Sequence, residues 1–259
     1  MAQNLNPQQQ AALQYIDGPL LVLAGAGSGK TSVITQKIAY LVEDCGIPAR
    51  NIAAVTFTNK AAREMKARVS SLLGKENGKG LTVSTFHNLG LTIIRTEIKV
   101  LGFRPGFSIL DQEDCRKLIK ELLVRHTELD EKLIDTAQNT ISNWKNSLLE
   151  PGSAVSAANS TGEQGIAMLY ERYQRALKAY NAVDFDDLIM TPVLLFKQQP
   201  EILAKWQRRI RYLLVDEYQD TNLAQYELVK TLVNEKQALT VVGDDDQSIY
   251  AWRGARPEN

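Results

Sequence analysis

"LVLAGAGSGKTSVIT" occupies residues 21–35: an apolar run, a break of alternating Gly, Ala and Ser, then Lys30 and Thr31 leading into a helical pattern. The small residues Ala24, Gly25, Ala26, Gly27, Ser28 and Gly29 let backbone N–H groups turn inward around an anion. Lys30 can then reach the β- and γ-phosphates of a nucleotide, and the Thr31 hydroxyl can ligate Mg2+. The stretch thus names a ligand, a phosphate chain, in the strand-to-helix setting that such a loop requires.

Outward from this loop, apolar runs alternate with helical patterns. "IAAVTF" (52–57), "LTVST" (81–85), "RYLLVDE" (211–217) and "ALTVVGD" (238–244) read as buried strands. Between them, residues 30–44, 59–73 and "NLAQYELVKTLV" (222–233) read as helices, and Asn6 with Pro7 opens a first helix as N-cap and N1. This alternation predicts an α/β fold with a parallel sheet, helices on both faces and ligands at the carboxyl ends of the strands. At one such end, Asp216 is placed to hold Mg2+, and Glu217 to orient or deprotonate an attacking water. Residues 109–197 break the rhythm with four helical patterns and no convincing strand, so they are expected to form a mostly helical insertion between residues 1–108 and 198–259. Within it, "EPGSAVSAANSTG" (150–162) is expected to be a connecting loop.

Composition narrows the class. The 259 residues carry 30 Lys plus Arg against 30 Asp plus Glu, which excludes coating nucleic acid by bulk charge but leaves room for a local groove. No basic segment followed by an apolar core opens the chain, and no apolar run is long enough to span a bilayer, so a cytoplasmic location is expected. Cys45 and Cys115 lack metal-site spacing and are expected to be reduced thiols.

The ordered motifs "LNPQQQAA", "AGAGSGKT", "VTFTNKAAREMKAR", "VSTFH", "DFDDLI", "LLVDEYQDTN" and "VVGDDDQSIYAWRGA" resemble those of superfamily 1 DNA helicases of the UvrD, PcrA and Rep kind over nearly the whole chain. The resemblance implies a RecA-like P-loop domain, ATP and Mg2+ as ligands, and ATP-driven 3′ to 5′ translocation on single-stranded DNA with unwinding at duplex junctions. Replication or repair proteins enter as partners through the resemblance alone. By the same resemblance Gln9 reads adenine, although Asn6 and Gln9 equally fit a helix capping box. Gln247 is implied to sense the γ-phosphate. Asp244, Asp245 and Asp246 are read as turn and capping residues, with Asp244 near the metal, and Asp184, Asp186 and Asp187 as helix N-terminal acids.

For DNA, the resemblance implies Phe57, Asn59, Phe86, His87, Tyr250, Trp252 and Arg253, where aromatic rings can stack on bases of any sequence. Trp144 and Trp206 read as packing residues. Ser32 departs from the Arg that many relatives carry after the P-loop Thr. A second RecA-like domain, which the family needs to reach the γ-phosphate across a cleft, is not among these 259 residues, so the chain is expected to be the N-terminal, ATP-binding part of a helicase. Two other classes compete: a module that binds nucleotide and DNA without turnover, and a small-molecule kinase. "DEYQD" and "GDDDQSIYAWRG" have no place in the kinase.

Overall fold

The computed structural model describes residues 5–23, 25, 29–123, 131–233 and 238–244. In chain order these form α1 (Pro7–Gln14), β1 (Leu20–Leu23), α2 (Lys30–Glu43), β2 (Ile52–Thr56), α3 (Asn59–Asn77), β3 (Thr82–Thr85), α4 (Phe86–Thr96) and α5 (Ile98–Leu101). Then follow β4 (Ser108–Leu110), α6 (Gln112–Leu123), α7 (Glu131–Asn146), α8 (Pro151–Ala157), α9 (Thr161–Ala179), β5 (Ala182–Asp184) and α10 (Asp187–Gln198). The chain continues through α11 (Pro200–Arg209), β6 (Tyr212–Val215), α12 (Leu223–Leu232) and β7 (Leu239–Gly243).

The main sheet is parallel throughout, in the order β1-β7-β6-β2-β3. Its strands are apolar at most positions; the central β2 and β6 are buried on both faces, where the two-residue period divides them cleanly, whereas β1 at the edge leaves Leu21 and Leu23 exposed. Ile52 and Ala54 of β2 and Leu214 of β6 face Ile34, Ile38 and Leu41 of α2 and Met65 and Val69 of α3. Ala53 and Val55, with Leu213 and Val215, face Phe86 and Leu89 of α4, Val193 and Phe196 of α10 and Leu228 of α12. Trp206, 2% exposed, completes this second core and donates its indole N–H to Glu97 at 2.7 Å, in keeping with a packing role. The helices α4 and α10 touch so closely at Gly90 that a Cβ there would lie 1.7 Å from the Leu188 carbonyl oxygen.

A separate core joins Leu118 and Ile119 of α6, Ile134, Ala137 and Ile141 of α7, Ala154 of α8 and Tyr170 and Tyr173 of α9. Trp144 packs at its margin. Two expectations fail here. β4 and β5 pair in parallel, Ser108 with Ala182 and Leu110 with Asp184, where no strand was expected. With three residues each they are too short to display a period. Residues 151–157, expected to be loop, form α8, because Pro151 at its first turn starts a helix well and Ala154 is buried.

Candidate functional site

The carboxyl ends of β1, β7, β6 and β2 point the same way, and Lys30, Thr31, Asp216, Glu217 and Asp244 collect there. Gly29 caps α2 with φ 81°, a left-handed conformation that glycine adopts at little cost. Lys30 and Thr31 then open α2, whose exposed backbone N–H groups and dipole favour an anion. The Lys30 ammonium, 8% exposed, lies 3.4 Å from Asp244 Oδ2 just past β7, and Thr31 Oγ1 donates to Asp216 Oδ2 at 3.4 Å just past β6. Asp216 is anchored by its own N–H, which donates to the Val55 carbonyl at 2.9 Å and so prolongs the β6–β2 pairing past the end of the strand. Ala24, Ala26, Gly27, Ser28, Asp245, Asp246, Gln247, Tyr250, Trp252 and Arg253 lie outside the described residues.

Electrostatics at the strand ends suit a hard cation. Burial, then the charge of Glu217, pushes the Asp216 carboxyl up to about 6, against the opposing pull of the Glu217 N–H, Thr31 and Lys30. Among the described residues no three His, Cys, Asp or Glu side chains converge to hold a metal by themselves.

Glu217 adopts a left-handed backbone (φ 54°, ψ 44°) that costs a non-glycine residue stability and concentrates at working sites. The turn lets Gln219 fold back: its Nε2 donates to Glu217 Oε2 at 2.7 Å while its Oε1 accepts from the Asp244 N–H at 3.0 Å. Gln219 therefore ties the ends of β6 and β7 together and fixes the Glu217 carboxylate. Gly243 makes room for it, since a Cβ there would lie 2.8 Å from Gln219 Oε1. Neither Gln219 nor Gly243 was singled out from sequence, although their places, two residues past Glu217 and one before Asp244, were a signal.

At α1, both bonds of the capping box form: Gln9 N–H donates to Asn6 Oδ1 at 2.8 Å, and Asn6 N–H to Gln9 Oε1 at 3.0 Å. The same Gln9 side chain reaches the phosphate loop, its Nε2 standing 3.3 Å from where a Gly29 Cβ would be.

Past the ends of β2 and β3, the aromatic residues form a cluster. Phe57, half-buried, meets Phe86 edge to face at 5.3 Å between centroids. Phe86 itself is 1% exposed and offers no ring face to a base, so it supports Phe57 from the core. His87 meets Phe185 edge to face at 5.7 Å, and Phe185 is 53% exposed. Asn59, exposed at the start of α3, accepts from Asn88 Nδ2 at 3.2 Å. Phe185 was missed from sequence, though it sits in "DFDDLI".

The acids around Phe185 do more than open a helix. Lys145, fully buried, donates to Asp184 Oδ2 at 2.6 Å and Asp187 Oδ1 at 2.9 Å, and Tyr173 OH donates to Asp184 at 2.9 Å. Against the effect of its burial, the lysine holds Asp184 below the usual carboxylate range; burial and the Asp184 charge push Asp187 up to about 6. Next to this pair, Asn146 Nδ2 donates to Asp186 Oδ1 at 3.0 Å and its Oδ1 accepts from Asn222 Nδ2 at 2.8 Å, joining α7 to the segment that follows Glu217.

None of the described helices is long and apolar enough to cross a membrane. The sequence matches the UvrD/REP helicase N-terminal domain over residues 5–259. It is 56% identical to ATP-dependent DNA helicase Rep of Escherichia coli over 255 residues, covering 98% of this chain and 38% of that protein. It is 49% identical to ATP-dependent DNA helicase PcrA of Bacillus subtilis over 253 residues, 97% of this chain and 34% of that one, and 46% identical to PcrA of Staphylococcus epidermidis over 261 residues, 100% and 36%. The chain thus spans less than half the length of these relatives. With a parallel sheet that brings Thr31 to Asp216 and Lys30 to Asp244, and a match along nearly its whole length, the chain belongs to the UvrD/REP helicase family and corresponds to its N-terminal domain.

Proposed function

We propose that this chain is the ATP-binding part of a DNA helicase that couples ATP hydrolysis to 3′ to 5′ movement along single-stranded DNA and to unwinding at duplex junctions. The observation that carries this reading is the meeting of the α2 N-terminus, Lys30 and Thr31, with Asp216, Glu217 and Asp244 at the ends of β6 and β7. Residues 24–31 cradle the phosphates, and Lys30 neutralises charge that builds on the γ-phosphoryl oxygens. Thr31 and Asp216 would hold Mg2+, which would neutralise charge on the phosphate oxygens. Glu217, steadied by Gln219, orients the attacking water and accepts its proton at a carboxylate oxygen. Gln247 senses the γ-phosphate, and Gln9 reads the base.

DNA lies across Phe57, Asn59, His87 and Phe185, with Tyr250, Trp252 and Arg253 added from the segment after β7. The helical insertion of residues 109–197 interrupts the RecA-like unit of residues 1–108 and 198–259. This reading implies a cytoplasmic protein.

The test is binding and single-turnover hydrolysis of ATP by the chain, with and without single-stranded DNA, for wild type, Lys30→Ala and Glu217→Gln. Lys30→Ala should lose ATP binding, whereas Glu217→Gln should bind ATP as wild type does and fail to cleave it. Normal hydrolysis by Glu217→Gln would overturn the catalytic assignment. Since the relatives are more than twice as long, the same assay separates a second reading: wild type that binds both ligands and turns over no ATP would be a binding module in isolation.

A further inference from the structure

Lys37 takes no part in the phosphate chemistry, yet it is a cation with 0% exposure in the helix that begins with Lys30 and Thr31. Burying an ammonium is costly unless its hydrogens find acceptors. Those of Lys37 do: Nζ donates to the Ala12 carbonyl at 2.7 Å and to the Tyr15 carbonyl at 2.5 Å, and it stands 5.9 Å from the Tyr212 ring centroid. Both carbonyls belong to the C-terminal end of α1, where the last turn leaves acceptors without helical partners and the helix dipole favours a cation. Desolvation nevertheless lowers the Lys37 pKa to about 8, a sign of how far the group is removed from water.

The helix held in this way has little else to hold it. α1 contains no buried side chain, so apolar burial gives it a weak grip on the domain. It runs beside α2 in the same direction and touches it at two levels. Near its start, Gln9 stands against Gly29, the residue that caps α2; at its end, Ala12 and Tyr15 are bound by Lys37, two turns along α2 from Lys30. The Gln9 amide offers a donor and an acceptor side by side, the pattern that matches N6–H and N7 of adenine and mismatches the two acceptors of guanine. Such discrimination depends on where the amide stands relative to the bound phosphates.

We propose that Lys37 is a positioning residue for nucleobase selection: by clamping the end of α1 to the helix that carries Lys30 and Thr31, it sets the Gln9 amide at the distance from the phosphate site that favours adenine over guanine nucleotides. The inference rests on the reading of Gln9 as the base-recognising residue.

The experiment measures affinities of the chain for ATP, GTP and inorganic tripolyphosphate, each with Mg2+, in wild type, Gln9→Ala, Lys37→Met, Lys37→Gln and Lys37→Arg. Losing one such paired contact should cost about tenfold in the ATP to GTP affinity ratio. Gln9→Ala and Lys37→Met should both show that fall while tripolyphosphate affinity stays within about twofold, and Lys37→Arg, which restores a cation with several donors, should recover the ratio. If Lys37→Met does not fold, Lys37→Gln, which can serve one carbonyl, is read in its place and should lose part of the ratio. A merely structural lysine would lower tripolyphosphate affinity in parallel with ATP, and that result overturns the proposal. So does a full ATP preference in Lys37→Met, or in Lys37→Gln where that variant is the one read, alongside its loss in Gln9→Ala. A full preference in Gln9→Ala instead refutes the reading of Gln9 itself, and the role of Lys37 with it.

Discussion

Replacing Asp216 by Asn should make the chain more stable at neutral pH while removing its hold on Mg2+. The carboxyl group is 3% exposed and sits beside Glu217, and burial with that neighbouring charge lifts its pKa from 3.8 to about 6. A tenfold change in proton affinity corresponds to about 1.4 kcal/mol, so keeping Asp216 ionised at pH 7 costs the folded state about 3 kcal/mol. The sign follows from proton uptake: between about pH 4 and pH 6 the folded chain keeps a proton that the unfolded chain has released, so the stability of wild type falls as pH rises through that window. Asn is neutral throughout and escapes the fall. Urea denaturation of both proteins in metal-free buffer should therefore give equal stabilities near pH 4 and a lead for Asp216→Asn that grows to about 2–3 kcal/mol by pH 7, with unchanged denaturant slopes. Added Mg2+ and ADP should then stabilise wild type far more than Asp216→Asn, because binding to the folded state alone raises stability. A difference between the two proteins that stays constant from pH 4 to pH 7 would refute the argument, since a desolvated carboxylate must show its cost where it ionises. If the expected result is found, the chain carries an ionised acid that its fold disfavours, and the nucleotide site is the reason it is there.

The other expectations test neighbouring parts of the same design. Gly243→Ala places a Cβ 2.8 Å from Gln219 Oε1, so Gln219 must release Glu217; hydrolysis should slow about 10- to 100-fold with ATP affinity little changed, as single-turnover assays will show. Phe185→Ala should weaken single-stranded DNA binding by about 1–3 kcal/mol in a titration, with no change in melting temperature because the ring is 53% exposed. Lys145→Met leaves Asp184 and Asp187 together in the interior without their cation and should cost about 3–5 kcal/mol in chemical denaturation; a loss under about 1 kcal/mol would mean that the pair is solvated in solution.

Much of the sheet could be read from the sequence because β2, β6 and β7 are buried on both faces and because strands end in chemistry: β1 runs into the glycine loop, β6 into Asp216 and Glu217, and β7 into Asp244. The sequence hid β4 and β5, whose three residues each cannot reveal a period, and α8, whose small residues look like loop. It also hid contacts between distant positions. Asn146 meets Asn222 across 76 residues, and Lys145 meets Asp184 and Asp187 across 39 and 42.

Yet the two lysines with no exposure among the described residues, Lys37 and Lys145, left a trace that elementary physics makes legible. The buried positions of α2 include Ile34, Lys37, Ile38 and Leu41, and those of α7 include Ile134, Ala137, Ile141 and Lys145, spacings of three and four that define one helix face. A lysine at such a place must either reach water or find oxygen atoms inside the protein, because an unpaired buried ammonium is too costly to keep. Lys37 and Lys145 both take the second course, one with the backbone carbonyls at the end of α1 and the other with two carboxylates beside β5. Each therefore joins its own helix to a neighbour that carries a candidate ligand residue, Gln9 in the first case and Phe185 in the second. A charge out of place on an apolar stripe marks where the fold fixes one part of the site relative to another, which is why the same pattern that gives away the core also gives away the clamps.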